Sequence, residues 1–452
     1  MLEKIKGTIG KYSMLRGRGE TVVVGLSGGA DSVALLHVLK ALDIGQNLNA
    51  VYIDHGLRPA ETPAEIAFCA GLCKSLDVPF MSKEIPPSPK IMSNAQDTLR
   101  DLRYEILENI AYEQKAGRIA LGHNKDDQAE TVVLNFIRGS ALTGLGGIPP
   151  CRGKIIRPLI EATRLEIEQY LESIGVNFIT DPSNLKQTYT RNKVRLSLLP
   201  TLKAYNPNIV DTLCANAGIL RDENTYMERQ AIKKTMTLIS RKAESKVELF
   251  LSPLQTLDKA IVRRVIRAAV SSVESLKGIG AAHIDDIITL VNNASSGASI
   301  RLPKGIRVIK GYSILTITTQ QPVQINTYEL DVPGEVVIKE AGLVIKASLV
   351  DTAQDTGNRQ NIYLDGGMLN LPLTVRARQN GDFFYPLGFG RRKKVQDFFV
   401  DEKVPKDGRN GVPLVFSGSG LVWIAGMRGD ERFKPKADTR TFVRLELLQM
   451  RT

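Results

Sequence analysis

Cysteine and histidine are scarce, four of each in 452 residues. Cys69, Cys73, Cys151 and Cys214 supply no disulfide framework in a chain this long. No Cys-x-x-Cys is present, so zinc and thiol-relay chemistry have little support. Cys69 and Cys73 stand four apart on a predicted helix and read as small buried hydrophobes. No uninterrupted apolar run approaches the ~20 residues of a membrane span. The first twenty residues are charged and lack an apolar core, so no signal peptide is expected. These absences predict a reduced, cytoplasmic protein with no membrane partner. What is present is ordinary for a globular chain of two to four domains: 43% hydrophobic and 24% charged residues. The net charge of +12 favours a polyanionic partner, nucleic acid before membrane.

The densest signal is Ser27-Gly28-Gly29-Ala30-Asp31-Ser32. It follows Val22-Val23-Val24-Gly25-Leu26, a buried-strand pattern, and precedes Val33 to Leu39, a helix pattern. A strand, a glycine turn and a helix aim backbone N–H groups and a helix N-terminus at a phosphate. The Walker pattern is absent, with no lysine in the turn, and so is Gly-x-Gly-x-x-Gly. The bland alternative is a tight turn capped by Asp31 and Ser32.

Further strands are predicted at Leu48–Ile53, from Pro79, and at Arg118–Leu121, with helices at Glu61–Leu76, Asn94–Gln114 and Asp126–Arg138. That alternation predicts an α/β, doubly wound parallel sheet, which binds ligands beyond the carboxyl ends of its strands. Three motifs land on that rim: the Ser27 loop, Asp54-His55-Gly56-Leu57-Arg58, and Gly122-His123. Asp54 suits a ribose hydroxyl, or simply a turn. His123 suits phosphate contact, acid–base work or a structural place. Asp126, Asp127 and Glu130 share a helix face, where their like charges repel unless Mg²⁺ or an amine sits between them. An acid-rich first helical turn explains Asp126 and Asp127 as well, but Glu130 less so. Arg100 and Arg103, three apart, suit phosphate or carboxylate capture, or form a solvated face. Arg138 to Gly147, Arg157-Pro158-Leu159, Asp181-Pro182-Ser183-Asn184 and Arg191-Asn192-Lys193-Val194-Arg195 read as glycine-rich or basic loops able to close over a substrate.

Beyond Pro200 the alternation stops. Residues 208–293 read as helical, and 310–365 as β-rich. Residues 371–452 hold 16 Lys and Arg against 9 Asp and Glu, more than half of the net charge. The expected domains are 1–205, catalytic; 206–365, helical with a β-rich end; and 366–452, small, mixed α/β and basic. Arg391-Arg392-Lys393-Lys394 among aromatics suits RNA, with Phe383, Phe398 and Phe399 expected in a core.

The Ser27 loop resembles the pyrophosphate loop of enzymes that split ATP into AMP and pyrophosphate. The whole set of segments, with Arg103-Tyr104 and Gly381-Asp382, resembles the tRNA(Ile)-lysidine synthetase family. The resemblance implies a ligase. ATP adenylates the carbon-2 oxygen of the wobble cytidine of tRNA(Ile), and the side-chain amine of free lysine then displaces AMP. It implies ATP contacts at Ser27, Gly28, Gly29, Ala30, Asp31, Ser32, Asp54 and His55, and Mg²⁺ at Asp31 and Asp127. It assigns catalytic roles to Asp31, Asp127, Glu130 and His123, and lysine or phosphate contact to Arg100 and Arg103. It gives tRNA contacts to Arg191, Arg195, Arg391, Arg392, Lys393 and Lys394. The oligomeric state stays open, a homodimer included. The alternatives are a tRNA thiolase with the same loop, an amide-forming synthetase, and a tRNA-binding protein that keeps a nucleotide fold as scaffold.

Overall fold

The structure, a computed structural model, describes residues 1–56, 59–85, 95–180, 190–353 and 358–450. Leu57, Arg58 and the Asp181–Asn184 segment lie outside them. The chain divides into two compact units, Met1–Met227 and Glu228–Thr452.

The first unit is built on β1 (Thr21–Gly25), β2 (Asn47–Asp54), β3 (Phe80–Glu84), β4 (Arg118–Ala120), β5 (Cys151–Arg152) and β6 (Ile155–Ile156), ordered β3-β2-β1-β4-β6-β5. All pairings are parallel except β5 with β6, an antiparallel edge. Val22, Val23 and Val24 are buried on both faces, as a central parallel strand requires. A helix not expected from the sequence, α1 (Leu2–Lys11), precedes the sheet, and three that follow the predicted pattern, α2 (Ala30–Leu42), α3 (Thr62–Ser75) and α4 (Ala95–Glu113), connect its strands. α2 is apolar nearly all round, and Val33, Leu35, Leu36 and Val38 are fully buried. Each such side chain contributes about 1.5–3 kcal/mol through burial. That anchoring holds the loop before α2 fixed against the sheet. The strand order reverses between β1 and β4, so the crevice at their carboxyl ends is the topological switch point.

In the second unit, the helical reading of 208–293 is interrupted by a hairpin, Ile239–Ala243 with Lys246–Phe250. Lys246–Phe250 alternates charged and apolar residues too briefly to stand out from the helices around it, and Ile239–Ala243 does not alternate at all. The hairpin continues into Ile314–Thr318, Arg307–Lys310 and Ser299–Arg301, a five-stranded sheet. Helices Lys259–Ser271 and Ala281–Asn293 share its core through Val265, Ile266, Ile287, Val308 and Leu315. Beyond it lie a short two-stranded sheet, Phe383–Phe384 with Lys393–Lys394, and two larger antiparallel sheets. One joins Tyr328–Leu330, Leu373–Arg376, Leu414–Ser417, Gly420–Ile424 and Arg428–Gly429; the other joins Gly334–Ile338, Leu343–Val350, Phe442–Gln449 and Asn361–Asp365. The expected boundary at 365/366 cuts both sheets: Tyr328–Leu330 pairs with Leu373–Arg376, and Leu343–Val350 pairs along its whole length with Phe442–Gln449. Phe384, Phe398 and Phe399 fill a smaller core with Val395 and Leu414. Phe384, not Phe383, turns inward, since neighbours on a strand face opposite ways.

Candidate active site

The loop between β1 and α2 is built to be approached. Gly28 has φ +79°, and a Cβ there would lie 2.9 Å from Ile179 Cδ1. Its carbonyl accepts the Ile179 N–H at 2.9 Å, which fixes the loop from the far side. The Ser32 hydroxyl accepts the Ser27 N–H at 3.1 Å and donates to the Gly29 carbonyl at 2.9 Å. Gly29 is the N-cap of α2 and offers no side-chain acceptor, so the first helical N–H groups stay available to an anion. Gly122 lets β4 come close: a Cβ there would press within 3.0 Å of the Asp31 carbonyl.

Loop, β1, β4 and α4 enclose a cavity of about 280 Å³ lined by Ser27, Asp31, His55, Arg103, His123, Asp127 and Arg191, among others. The structure thus brings the Ser27 loop, His55 and Gly122-His123 together. Asp54 sits at the end of β2, but its carboxylate accepts the Gly56 N–H at 2.8 Å and closes a turn. Arg100 is exposed on α4, with its guanidinium 5.7 Å from the Tyr104 ring centre.

Asp31 is gripped at both oxygens. The Asn124 side-chain amide donates to Oδ1 at 2.9 Å, and Arg164 Nη1 donates to Oδ2 at 2.9 Å. Burial still dominates and, aided by the nearby Asp127 charge, pushes the Asp31 carboxyl up to about 6 against the pull of Arg164. Asn124 also caps α5 (Lys125–Ile137) in a capping box: it accepts the Asp127 N–H, and the Asp127 carboxylate accepts the Asn124 N–H. Asp126 faces elsewhere and accepts the Arg164 backbone N–H at 2.8 Å. Asp127 and Glu130 share two arginines. Arg191 donates to Glu130 Oε2 and Asp127 Oδ1, each at 2.8 Å, and Arg195 reaches both carboxylates as well. The Glu130 side chain is 1% exposed. The compensating cation expected between the acids is therefore present, as guanidinium.

The same region holds an excess of positive charge. Arg157 is fully buried and, among the described residues, forms no ion pair. It donates to the Pro149 carbonyl at 2.6 Å, to His123 Nδ1 at 3.3 Å and towards the Tyr104 hydroxyl at 3.5 Å. Arg100, Arg103 and Arg152 surround the same tyrosine ring. Burial raises the Tyr104 phenol, but the charges and hydrogen bonds of Arg100 and Arg157 outweigh it and bring it to about 8. Burial, then Arg157, Arg103, Arg100 and Arg191, hold His123 well below its ordinary value. His123 is thus neutral, with Nδ1 accepting and the proton on Nε2, a hydrogen-bond donor rather than an acid. The Nε of Arg103 is buried without a partner among the described residues. Such a group is satisfied by an incoming anion.

The motif reading missed Asn124 and Arg164. Asn-x-x-Asp before a helix is a readable cap, whereas Arg164 belongs to no motif. Cys69 lies under the loop, and burial pushes the Cys69 and Cys73 thiols up to about 12 and about 11, far from reactive thiolates.

Three family profiles match the chain: a PP-loop domain over residues 3–202, a TilS substrate binding domain over 249–312 and a TilS substrate C-terminal domain over 373–447. The tRNA(Ile)-lysidine synthase of Caldanaerobacter subterraneus subsp. tengcongensis is 34% identical, across 99% of this chain and 97% of that protein. The synthase of Symbiobacterium thermophilum is also 34% identical, across 98% and 97%. The chain belongs to the tRNA(Ile)-lysidine synthase family. Its members are ligases with an ATP-using PP-loop domain, and no described helix here is long and apolar enough to cross a membrane. Among solved structures, a TilS C-terminal domain aligns at 23% identity, covering 28% of this chain and all of that one, with a TM-score of 0.26. The U34-tRNA thiolase NcsA from Methanococcus maripaludis aligns at 20% identity over 49% of this chain and 78% of that one, with a TM-score of 0.42.

Proposed function

We propose that the switch-point cavity is where this ligase activates the wobble cytidine of tRNA(Ile) with ATP and joins it to free lysine. The observation that carries the reading is that one cavity is lined by two kinds of surface. The first is the loop before α2 together with Arg103 and His123. The second is carboxylate: Asp31 and Asp127, the latter sharing its arginines with Glu130. ATP phosphates fit the first surface. The Ser27–Ser32 loop, Arg103 and the Nε2–H of His123 would stabilise charge on the α-phosphate as the carbon-2 oxygen attacks and pyrophosphate leaves.

A lysine ammonium fits the second surface. It competes with the Arg191 and Arg195 guanidinium groups for the oxygens of Asp127 and Glu130. It must lose a proton before it attacks carbon-2 and AMP departs, and the carboxylates holding it are the proton acceptors. Mg²⁺ also fits. Among the described residues no three metal-ligating side chains gather, but Mg²⁺ carried with ATP needs only one or two carboxylates beside phosphate oxygens. Asp31 and Asp127 both line the cavity and repel each other, so they would hold it. Bound there, it would neutralise phosphate charge. The basic surface of the second unit would hold the tRNA body.

The test is incubation with ATP, lysine and tRNA, scored by pyrophosphate release and nucleoside mass. Lysine should be required. Ornithine, one methylene shorter, should react poorly because its amine falls short of the attack distance. Asp31→Ala should lower pyrophosphate release by roughly 100-fold or more. Equal rates with both amines, or near-normal release by the variant, would refute the assignment.

A further inference from the structure

The second unit contains a cavity of about 400 Å³ with no part in the chemistry above. It opens between two sheet edges: Asn361–Asp365, last in one sheet, and Arg428–Gly429, last in the other. The two edges pack closely at Gly429, where a Cβ would displace the end of the Ile362 side chain. The volume lies within the roughly 300–1,000 Å³ range of small-ligand sites.

The lining has three parts. Tyr363, half-buried, supplies the accessible aromatic surface, and Trp423, almost wholly buried, backs the wall. Asn361 supplies an amide whose Oδ1 is buried without a partner among the described residues. Arg428 and Lys434, both exposed, and Arg359 give the mouth positive charge. Arg359 is 3.3 Å from Glu402. The acid in the lining, Asp430, is already committed: its carboxylate accepts the Tyr385 N–H at 2.9 Å and pairs with Arg432 at 2.8 Å.

We propose that this cavity takes one unpaired nucleotide of the RNA substrate, with the base inside and its phosphate at the Arg428–Lys434 mouth. The inference rests on the functional reading above, which makes RNA the substrate. A flat base suits aromatic walls, and stacking of this kind is worth about 1–3 kcal/mol per base. The amide acceptor would receive a donor from the base edge, as single-stranded recognition requires. The positive mouth is the part that a phosphate complements and an apolar ligand does not.

Trp423 is the chain's single tryptophan, so its fluorescence reports on this cavity and not on the ATP site. The full-length enzyme is titrated with cytidine and adenosine monophosphates, a short single-stranded RNA, a blunt-ended RNA duplex and poly-glutamate. Lysidine formation is scored on the same preparation. Saturable quenching by the single strand, and more weakly by the monophosphates, is expected. The duplex and poly-glutamate should not quench. Asn361→Leu should weaken single-strand binding roughly tenfold, the loss of one buried hydrogen bond. If Asn361→Leu does not fold, Arg428→Ala with Lys434→Ala, both exposed, should weaken binding and flatten its salt dependence. Active enzyme whose Trp423 signal ignores the single strand, or answers the duplex or poly-glutamate equally, would overturn the pocket and leave the ligase reading standing. Quenching without lysidine formation would keep the pocket and remove that reading.

Discussion

Removing both arginines from the Asp127–Glu130 pair should expose how the site is held. In the double variant Arg191→Ala/Arg195→Ala, the Glu130 carboxylate, 1% exposed, keeps its burial and loses its cations. Breaking a buried pair by deleting one side costs about 3–5 kcal/mol. The lower end applies, because the departing side chains were 38% and 33% exposed and their loss opens the cluster to water. At about 2–4 °C per kcal/mol for a unit of this size, a cost of ~3 kcal/mol lowers Tm by roughly 6–12 °C. Adding Glu130→Gln should recover most of it. Free lysine supplies the missing cation if these carboxylates receive the substrate ammonium. At about 100 times its Kd it should return ~2.7 kcal/mol, more of a gain than the native protein shows, where guanidinium already occupies the oxygens. Differential scanning fluorimetry at pH 8, with and without lysine, reads all of this. A double variant that melts within about 2 °C of the native protein at pH 8 would sink the account of the clamp. A variant that melts early but ignores lysine would keep the clamp and remove the ammonium assignment.

Two other outcomes are expected. Absorbance at 295 nm should show a tyrosine ionising near pH 8, absent in Tyr104→Phe and moved upward in Arg100→Ala. Since the unfolded value is about 10, this folded-state value is depressed, so the stabilisation it brings is complete above about pH 10 and lost as the pH falls through about 8. In the tail, Arg391, Arg392 and Lys394 are exposed, whereas Lys393 pairs with Asp401 beside Phe389 and Phe398. Replacing the exposed three with alanine should weaken tRNA binding and lower its salt slope by up to about 3, near 0.9 per phosphate contact. An unchanged slope would make the run a solvated face. Lys393→Ala should instead lower stability.

What was legible in the sequence was whatever local chemistry declares. The Ser27 loop sits between a valine run and an apolar helix, and its glycines can serve only a turn or a close approach. The rim position of His55 and His123 follows from strand ends alone. The partners were not legible, because they come from far along the chain. Asp127 and Glu130 announce by spacing that a cation belongs between them. Nothing in that spacing says that the cations are Arg191 and Arg195, more than sixty residues later. The clamp also changes what the motif means. Bare carboxylates at this spacing would bind any small cation. Carboxylates already holding two forked guanidinium groups yield only to a ligand that offers its own cation and gains further contacts elsewhere in the cavity. If the proposed lysine site is right, Arg191 and Arg195, first read as tRNA contacts, would be the competitors against which the amine is selected.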